Sequence, residues 1–290
     1  MTVLSGEEWR ARRDTHAASV DALLRDHLAR RRRGERHPVE DFLFEYYSFR
    51  PGQLRRWHPG AGVVLAEADP DDFPGYTAVE GGVVLDLDAY LARRSETVDW
   101  VAGLLRATAS RPPQLGCFGM HEWAMVYRIP DVRHDSWPLR LGAERTNAVV
   151  DERGVRCSHF DAFRFFTEPA RPLNVLQPAR ETQVALEQPG CLHATMDLYK
   201  WAYKLSPLTP SDLVLDCFRL TKSVRELDMK ASPYDFAALG YEPVGVETPE
   251  GRAEYAAAQR AFAERGGILR SALLRVIDQT RAGAPARRRP

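Results

Sequence analysis

The 290-residue sequence predicts an α+β fold, predominantly α-helical: one large helical domain with small β-hairpin elements. Three observations carry this expectation. Apolar residues recur at helical spacing toward both ends, two short valine-rich segments beside glycines read as strands, and Pro and Gly fall where the periodicity stops. The domain is expected over 1–280, with an N-terminal helical subregion at 1–60 and a disordered basic tail at 281–290.

In chain order, residues 5–33 predict a charged helix with Trp9, Val20, Leu23, Leu24 and Leu28 as its apolar stripe, interrupted by Gly34 and Pro38. A second helix is expected from Pro38 to about Ser48. Its aromatic residues Phe42, Phe44, Tyr46 and Tyr47, with Phe49 beyond, suit a packed surface or a pocket wall. "GVVLAEA" and "YTAVEGGVVLDL" predict strands, the second a hairpin turning at Gly81-Gly82. Helical periodicity returns from Leu87 to about Ser110 and stops before Pro112-Pro113. "CFGMHEWAMVYRI" is apolar throughout and fits helix or strand alike, whereas "TNAVVDERGVRCSHF" predicts a hairpin around Asp151 to Gly154. The final third reads as helical. A short helix over 178–188 ends at Pro189-Gly190, and "GCLHATMDLYKWAYKL" follows. Two more helices start at Thr209-Pro210 and Thr248-Pro249, with threonine as N-cap and proline in the first turn.

Forty basic residues balance forty acidic ones, which argues against a dedicated nucleic-acid coat. The basic stretches "LARRRRGER" and "RAGAPARRRP" could still meet phosphate, although a solvated helix end and a frayed terminus account for them too. The first residues lack the apolar core of a secretory signal, and no apolar run approaches the roughly 20 residues of a membrane span. A cytoplasmic protein without a membrane partner is therefore expected, with Cys117, Cys157, Cys191 and Cys217 as thiols. The oligomeric state is left open. Only Lys200, Lys204, Lys222 and Lys230 are lysines, all within 31 residues, and the other 36 basic residues are arginine. A lysine can lose its charge on burial and attack as an amine, which an arginine cannot.

"GCLHATMDLYKWAYKL" concentrates the chemistry. At 100° per residue, His193, Asp197, Lys200 and Lys204 fall within about a 60° sector, and the rest of the cylinder is apolar. Such a helix is expected to be buried nearly all round, its polar seam facing a cleft or a buried ionic network. Other segments pair imidazole with carboxylate among apolar neighbours: His121 with Glu122, His134 with Asp135, and His159 with Asp161. Cys117, Cys157 and Cys191 stand two to four residues before His121, His159 and His193. Imidazole and carboxylate from several elements are what a metal centre or an acid/base site requires, although no established ligand spacing joins them. "RELDMKASPYD" adds Arg225, Asp228, Lys230 and Asp235, which a helix end with exposed charges would also explain.

"HPVEDFLFEYYSFRPGQLRRWHPG", "GCFGMHEWAMVYR", "CSHFDAFRFF", "EQPGCLHATMDLYKWAYKL" and "RELDMKASPYD" resemble a bacterial family that carries the label 3-methyladenine DNA glycosylase, over about Trp9 to Arg270. The resemblance implies a base-excision N-glycosylase-like hydrolase acting on alkylated purine in DNA, with no cofactor required. Such an enzyme takes a base out of the stack, holds it between aromatic walls and activates water with a carboxylate. Under that activity Asp197, Asp161, His193 and Lys200 are the candidate catalytic residues. Trp123, Tyr199 and Trp201 would form walls, and Lys204, Arg225 and Lys230 would contact substrate. The helix-hairpin-helix loop of well-understood glycosylases is not found in the sequence. Two alternatives stand beside this reading. One is an enzyme acting on a small molecule through a divalent transition metal held by His121, His159 and His193, with Glu122 as a further ligand and Asp161 and Asp197 beside them. The other is a non-enzymatic nucleotide- or partner-binding protein.

Overall fold

The structure is a computed structural model that describes residues 1–129 and 137–283. His134 and Asp135, and the tail beyond residue 283, lie outside the described residues. The described residues form eleven α-helices and one four-stranded sheet, the predominantly helical α+β fold that the periodicity predicts. None of these helices is long and apolar enough to cross a membrane. The helices are α1 (Gly6–Arg32), α2 (Phe42–Glu45), α3 (Pro51–Arg55), α4 (Leu87–Ala109), α5 (Met120–Ala124), α6 (Gly142–Arg153), α7 (Phe160–Phe163), α8 (Gln183–Leu186), α9 (Leu192–Lys204), α10 (Ser211–Lys230) and α11 (Pro249–Gly283).

Backbone packing divides the chain into two compact units that interleave along the sequence. The first comprises 1–103, 198–219 and 269–290, and the second comprises 104–197 and 220–268. This is a division by packing, distinct from the sequential partition read from composition.

In the first unit, β1 (Thr2–Leu4) pairs parallel to β2 (Val63–Ala66). Strand β2 pairs antiparallel to β4 (Gly82–Leu85), and β4 pairs antiparallel to β3 (Tyr76–Val79). Strand β1, three residues at the start of the chain, has no alternation long enough to read in advance. The hairpin turn is Glu80-Gly81 rather than Gly81-Gly82. Gly81 takes the left-handed φ of 79°, while Gly82 pairs with Val79 in the ladder. A Cβ on Gly82 would stand 2.1 Å from the Leu65 carbonyl oxygen, so that position needs glycine for close approach. Helix α1 opens with a capping box between Ser5 and Glu8 and buries Trp9, Val20 and Leu24. The adjoining basic stretch is matched by acids: Arg30 pairs with Glu40, Arg33 with Glu35 and Arg36 with Glu45. The expected helix at 38–48 shrinks to α2, because His37 and Asp41 bind their own backbone: Asp41 Oδ2 accepts from His37 N–H, and His37 Nδ1 accepts from Glu40 N–H.

In the second unit the hairpin expected around Asp151 to Gly154 is instead α6. Thr146, Val149 and Val150 are buried at helical spacing, and Gly154, at φ 65°, ends the helix by donating to the Val150 carbonyl. A helix-terminating glycine resembles a hairpin glycine because both need positive φ. The segment that fitted helix or strand is the short helix α5. The helix expected over 178–188 contracts to α8. Helix α11 begins as expected, with the Thr248 hydroxyl accepting from Gly251 N–H and Pro249 in the first turn.

A candidate metal centre in the second unit

Five elements of the second unit bring their polar side chains together. Helix α5 carries His121 and Glu122, the residue before α7 is His159, and the turn after α8 carries Glu187. The first half of α9 carries His193 and Asp197, and α10 carries Arg225 and Asp228 one helical turn apart. Several backbone devices hold these elements in place. Phe118 and Gly119 both adopt left-handed φ, 46° and 73°, to start α5, and a Cβ on Gly119 would press on Ala231 and the Tyr255 ring. The Gln188 side chain accepts from Gln114 N–H and Gly190 N–H and donates to the Gln114 carbonyl, which ties the turn bearing Glu187 to the segment before α5. Gly190 is required there, since a Cβ would lie 2.6 Å from the Gln114 carbonyl oxygen. Asn174 holds Cys157 from both sides of its peptide and so places His159.

Two groups of three ligating side chains result. His121, His193 and Asp228 form one, and His159, Glu187 and Asp197 form the other; within each, one ligating atom per residue lies within 4.8 Å of the others. All six residues are buried. The groups adjoin through imidazoles, because the His193 ring is 4.6 Å from that of His121 and 5.3 Å from that of His159, centroid to centroid. His121 Nε2 is 2.9 Å from Asp228 Oδ1, and His159 Nε2 is 3.3 Å from Glu187 Oε1 and 3.5 Å from Asp197 Oδ2. Yet His121 Nε2, Asp228 Oδ1 and both His159 nitrogens complete no hydrogen bond among the described residues. Three donor atoms this close in each group are placed as ligands to one ion would be.

The electrostatics point the same way. Burial disfavours charge on His121, but Asp228 and Cys117 beside it hold its imidazolium well above the usual range. Burial likewise opposes charge on His159, and Glu187 with Asp197 overrides it, pushing the pKa up to about 9. His193 is depressed to about 3 by burial and by the positive charge of His121, so its lone pair is free of a proton at neutral pH. Burial would raise Asp228, but His121, His193 and Arg225 lower it. The enclosure therefore demands positive charge, which bound protons supply at His121 and His159 and which a metal cation would supply by displacing them. One imidazole-rich and one carboxylate-rich triad suit a divalent transition metal such as zinc, iron or manganese.

Supporting groups surround the triads. Arg225 donates to Glu122 Oε1 at 3.1 Å and to Asp228 Oδ2 at 3.4 Å. Gln183 donates to Glu187 Oε1 at 2.5 Å, and Cys117 Sγ meets His121 Nδ1 at 3.4 Å. The buried Tyr255 hydroxyl completes no hydrogen bond among the described residues, and burial followed by the charge of Asp228, Cys117, Cys191 and Glu122 keeps it protonated.

The sequence-derived candidates divide. His121, His159, His193 and Asp197 converge. Glu122 stands beside the centre in a pair with Arg225 instead of in either triad. Asp161 pairs with Arg164 at 3.4 Å, outside both triads. Trp123 is fully buried and donates its indole N–H to the Ala231 carbonyl at 2.9 Å, which makes it a core pin and not a wall of a base pocket. The polar seam of α9 changes environment at the partition between Asp197 and Leu198. Lys200 and Lys204 belong to the first unit, half-buried and exposed, with their ammonium groups 4.5 and 5.6 Å from the Trp201 ring centre. Trp201 itself packs edge-on to Trp100, and Tyr199 is buried among Tyr47, Phe49, Tyr203 and Phe218. Lys230 is half-buried at the end of α10. Sequence reasoning did not include Glu187 and Asp228 among the candidate ligands. Asp228 stands out in the sequence with Arg225, where a site and a helix end with exposed charges fit equally; it is fully buried. Glu187 carried one faint signal, a carboxylate immediately before the Gln-Pro-Gly turn that leads into His193. Compared with protein-family models, with curated proteins and with solved structures, the chain gives no match.

Proposed function

We propose that the protein is a metal-dependent hydrolase with a two-metal centre, acting on a small molecule. The observation that carries this reading is the pair of buried triads, His121/His193/Asp228 and His159/Glu187/Asp197, joined through the His193 ring. Two adjacent divalent ions would supply an activated water and a positive clamp on the oxygens of the bond being broken. The chain's own residues do the rest. Neutral His193 presents a lone pair without first losing a proton, and His121 and His159 release theirs as cations bind. Arg225 steadies Asp228 and Glu122 at once, and so fixes the Glu122 carboxylate at the edge of the centre, where it can take a proton from water. Tyr255 offers a protonated hydroxyl as a donor to a developing oxyanion. The base-excision expectation loses its aromatic walls, since Trp123, Tyr199 and Trp201 are committed to packing.

Elemental analysis of the untagged protein after reconstitution tests the proposal. About two equivalents of a divalent transition metal are expected, falling to about one in Asp228→Asn and in Asp197→Asn. Less than about a tenth of an equivalent in the well-folded wild type would overturn it.

A further inference from the structure

The segment that carries Cys117 and His121 also walls a cavity of about 350 Å³ in the second unit. Gly116, Phe118 and Met120 line it, flanking Cys117, whose sulfur contacts His121. Three arginines, Arg153, Arg156 and Arg252, line the same space, with Val246 adding to its apolar wall. Arg153 donates to the Glu247 carbonyl at 2.9 Å, and Arg252 donates to the Val246 and Glu247 carbonyls at 3.2 Å. Carbonyls hold a guanidinium in place without cancelling its charge. The Glu247 carboxylate does not cancel it either, because Arg140 engages it through both oxygens. Arg252 stands in the first turn of α11, where the helix dipole also favours an anion.

The same short segment borders this space and the centre. Met120 lines the cavity and directly precedes His121, and the Phe118 ring lines it 6.3 Å from the ring of Tyr255. The Phe118 backbone is held in the left-handed region, a conformation that is strained for a non-glycine residue and that recurs at functional sites.

We propose that this cavity is the substrate subsite of the centre and that the substrate is a small organic anion. One phosphate or carboxylate group sits among Arg153, Arg156 and Arg252, and an apolar body lies on Phe118, Met120 and Val246. Guanidinium groups pair with such oxyanions through two parallel N–H bonds, and three of them around a space of this size fit a small molecule. A duplex exceeds the cavity, and a chain of zero net charge lacks the basic excess that would draw one. The inference rests on the metal-centre reading for what happens to the ligand, but not for its binding.

Calorimetric titration of the full chain, metal-loaded and chelator-treated, reads binding alone. Phenyl phosphate and benzoate are the aromatic probes, with inorganic phosphate and a short DNA duplex as comparisons. At least one aromatic anion is expected to bind saturably at one site in both preparations. Arg156→Gln and Arg252→Gln are each expected to weaken it by about tenfold or more. Arg252→Gln removes two backbone anchors, so exposed Arg156 provides the decisive variant, with an unchanged melting temperature as its check. Arg145→Gln, whose partner is Glu152 on an exposed face, should leave binding unchanged. Absence of saturable binding by both aromatic anions, binding indifferent to Arg156→Gln, or binding of the duplex alone would overturn the proposal. Metal content measured on the same samples separates the two readings: anion binding without metal removes the centre and keeps the subsite, while metal without anion binding does the reverse.

Discussion

His16, His27 and His37 in the first unit and His121, His159 and His193 in the second are all buried. In the first unit each ring meets a backbone group or a single carboxylate. His16 Nε2 lies 2.9 Å from the Leu54 carbonyl, His37 Nδ1 accepts from Glu40 N–H, and His27 faces one carboxylate, Asp41, at 3.2 Å while its ring packs on Phe44. In the second unit the imidazoles meet one another and three carboxylates. Burial of histidine therefore marks nothing by itself. What sets the second-unit group apart is that three imidazoles and three carboxylates converge in two adjoining triads.

The comparison can be broken most directly by deleting one partner on each side. Asp228→Ala takes from buried His121 the carboxylate that holds its proton and from buried Arg225 one of its two partners, and should cost about 3–5 kcal/mol in denaturant unfolding together with loss of bound metal. His16→Gln removes one buried hydrogen bond and should cost about 1–2 kcal/mol without changing metal content. Equal costs with metal unaffected would erase the distinction.

Acid sharpens it through an imidazole that meets no carboxylate. Burial, helped by Arg56 and His16, depresses His58 from 6.5 to about 4. The folded chain takes up this proton less readily than the unfolded one, so the contribution is intact above pH 6.5 and is lost as pH falls toward 4. Wild type should lose about 2 kcal/mol more than His58→Gln between neutral pH and about pH 4.5. Parallel unfolding curves for the two proteins across that range would contradict the assignment.

Tyr255→Phe tests the orphaned hydroxyl. Removing a buried oxygen without a partner should stabilise the metal-free protein by about 1 kcal/mol, measured as an upward shift of the denaturant midpoint. A loss of stability would mean that the hydroxyl serves the fold. The smallest effect contrasts backbone strain in the two units. Glu67, exposed and at φ 59°, has a 3.9 Å side-chain ion-pair contact with Arg10, a weak one on the surface, so Glu67→Gly should stabilise by a few tenths to about 1 kcal/mol. Phe118→Gly relieves the same conformation but removes a ring packed toward Tyr255, and thermal melts should show a net loss.

Much of the architecture was legible because it depends on local chemistry. Ser5 with Glu8 starts α1, Thr248-Pro249 starts α11, and the valines on either side of Glu80-Gly81 make a hairpin, all from residues a few positions apart. The misreading at Gly154 has a physical origin, since one left-handed glycine serves a helix end and a strand turn equally well. The site was half legible. His193 and Asp197 share a helix face and were visible together. Asp228 fitted a site and a solvent-facing helix end alike because nothing within its own turn reports what covers it, and Lys200 continued the same seam although its surroundings differ from those of Asp197.

From the sequence alone came the helical class, the starts of the long helices, the absence of a long apolar span, and the list of imidazoles worth watching, because spacing along a chain governs periodicity and capping. Only the tertiary structure decided which carboxylates face which imidazoles, because Glu187 and Asp228 reach theirs across 28 to 107 residues of chain, a separation over which no local propensity carries information. The same packing turned Trp123 and Tyr199 from candidate walls into core. Burial is a property of neighbours, and the chain meets those only after it has folded.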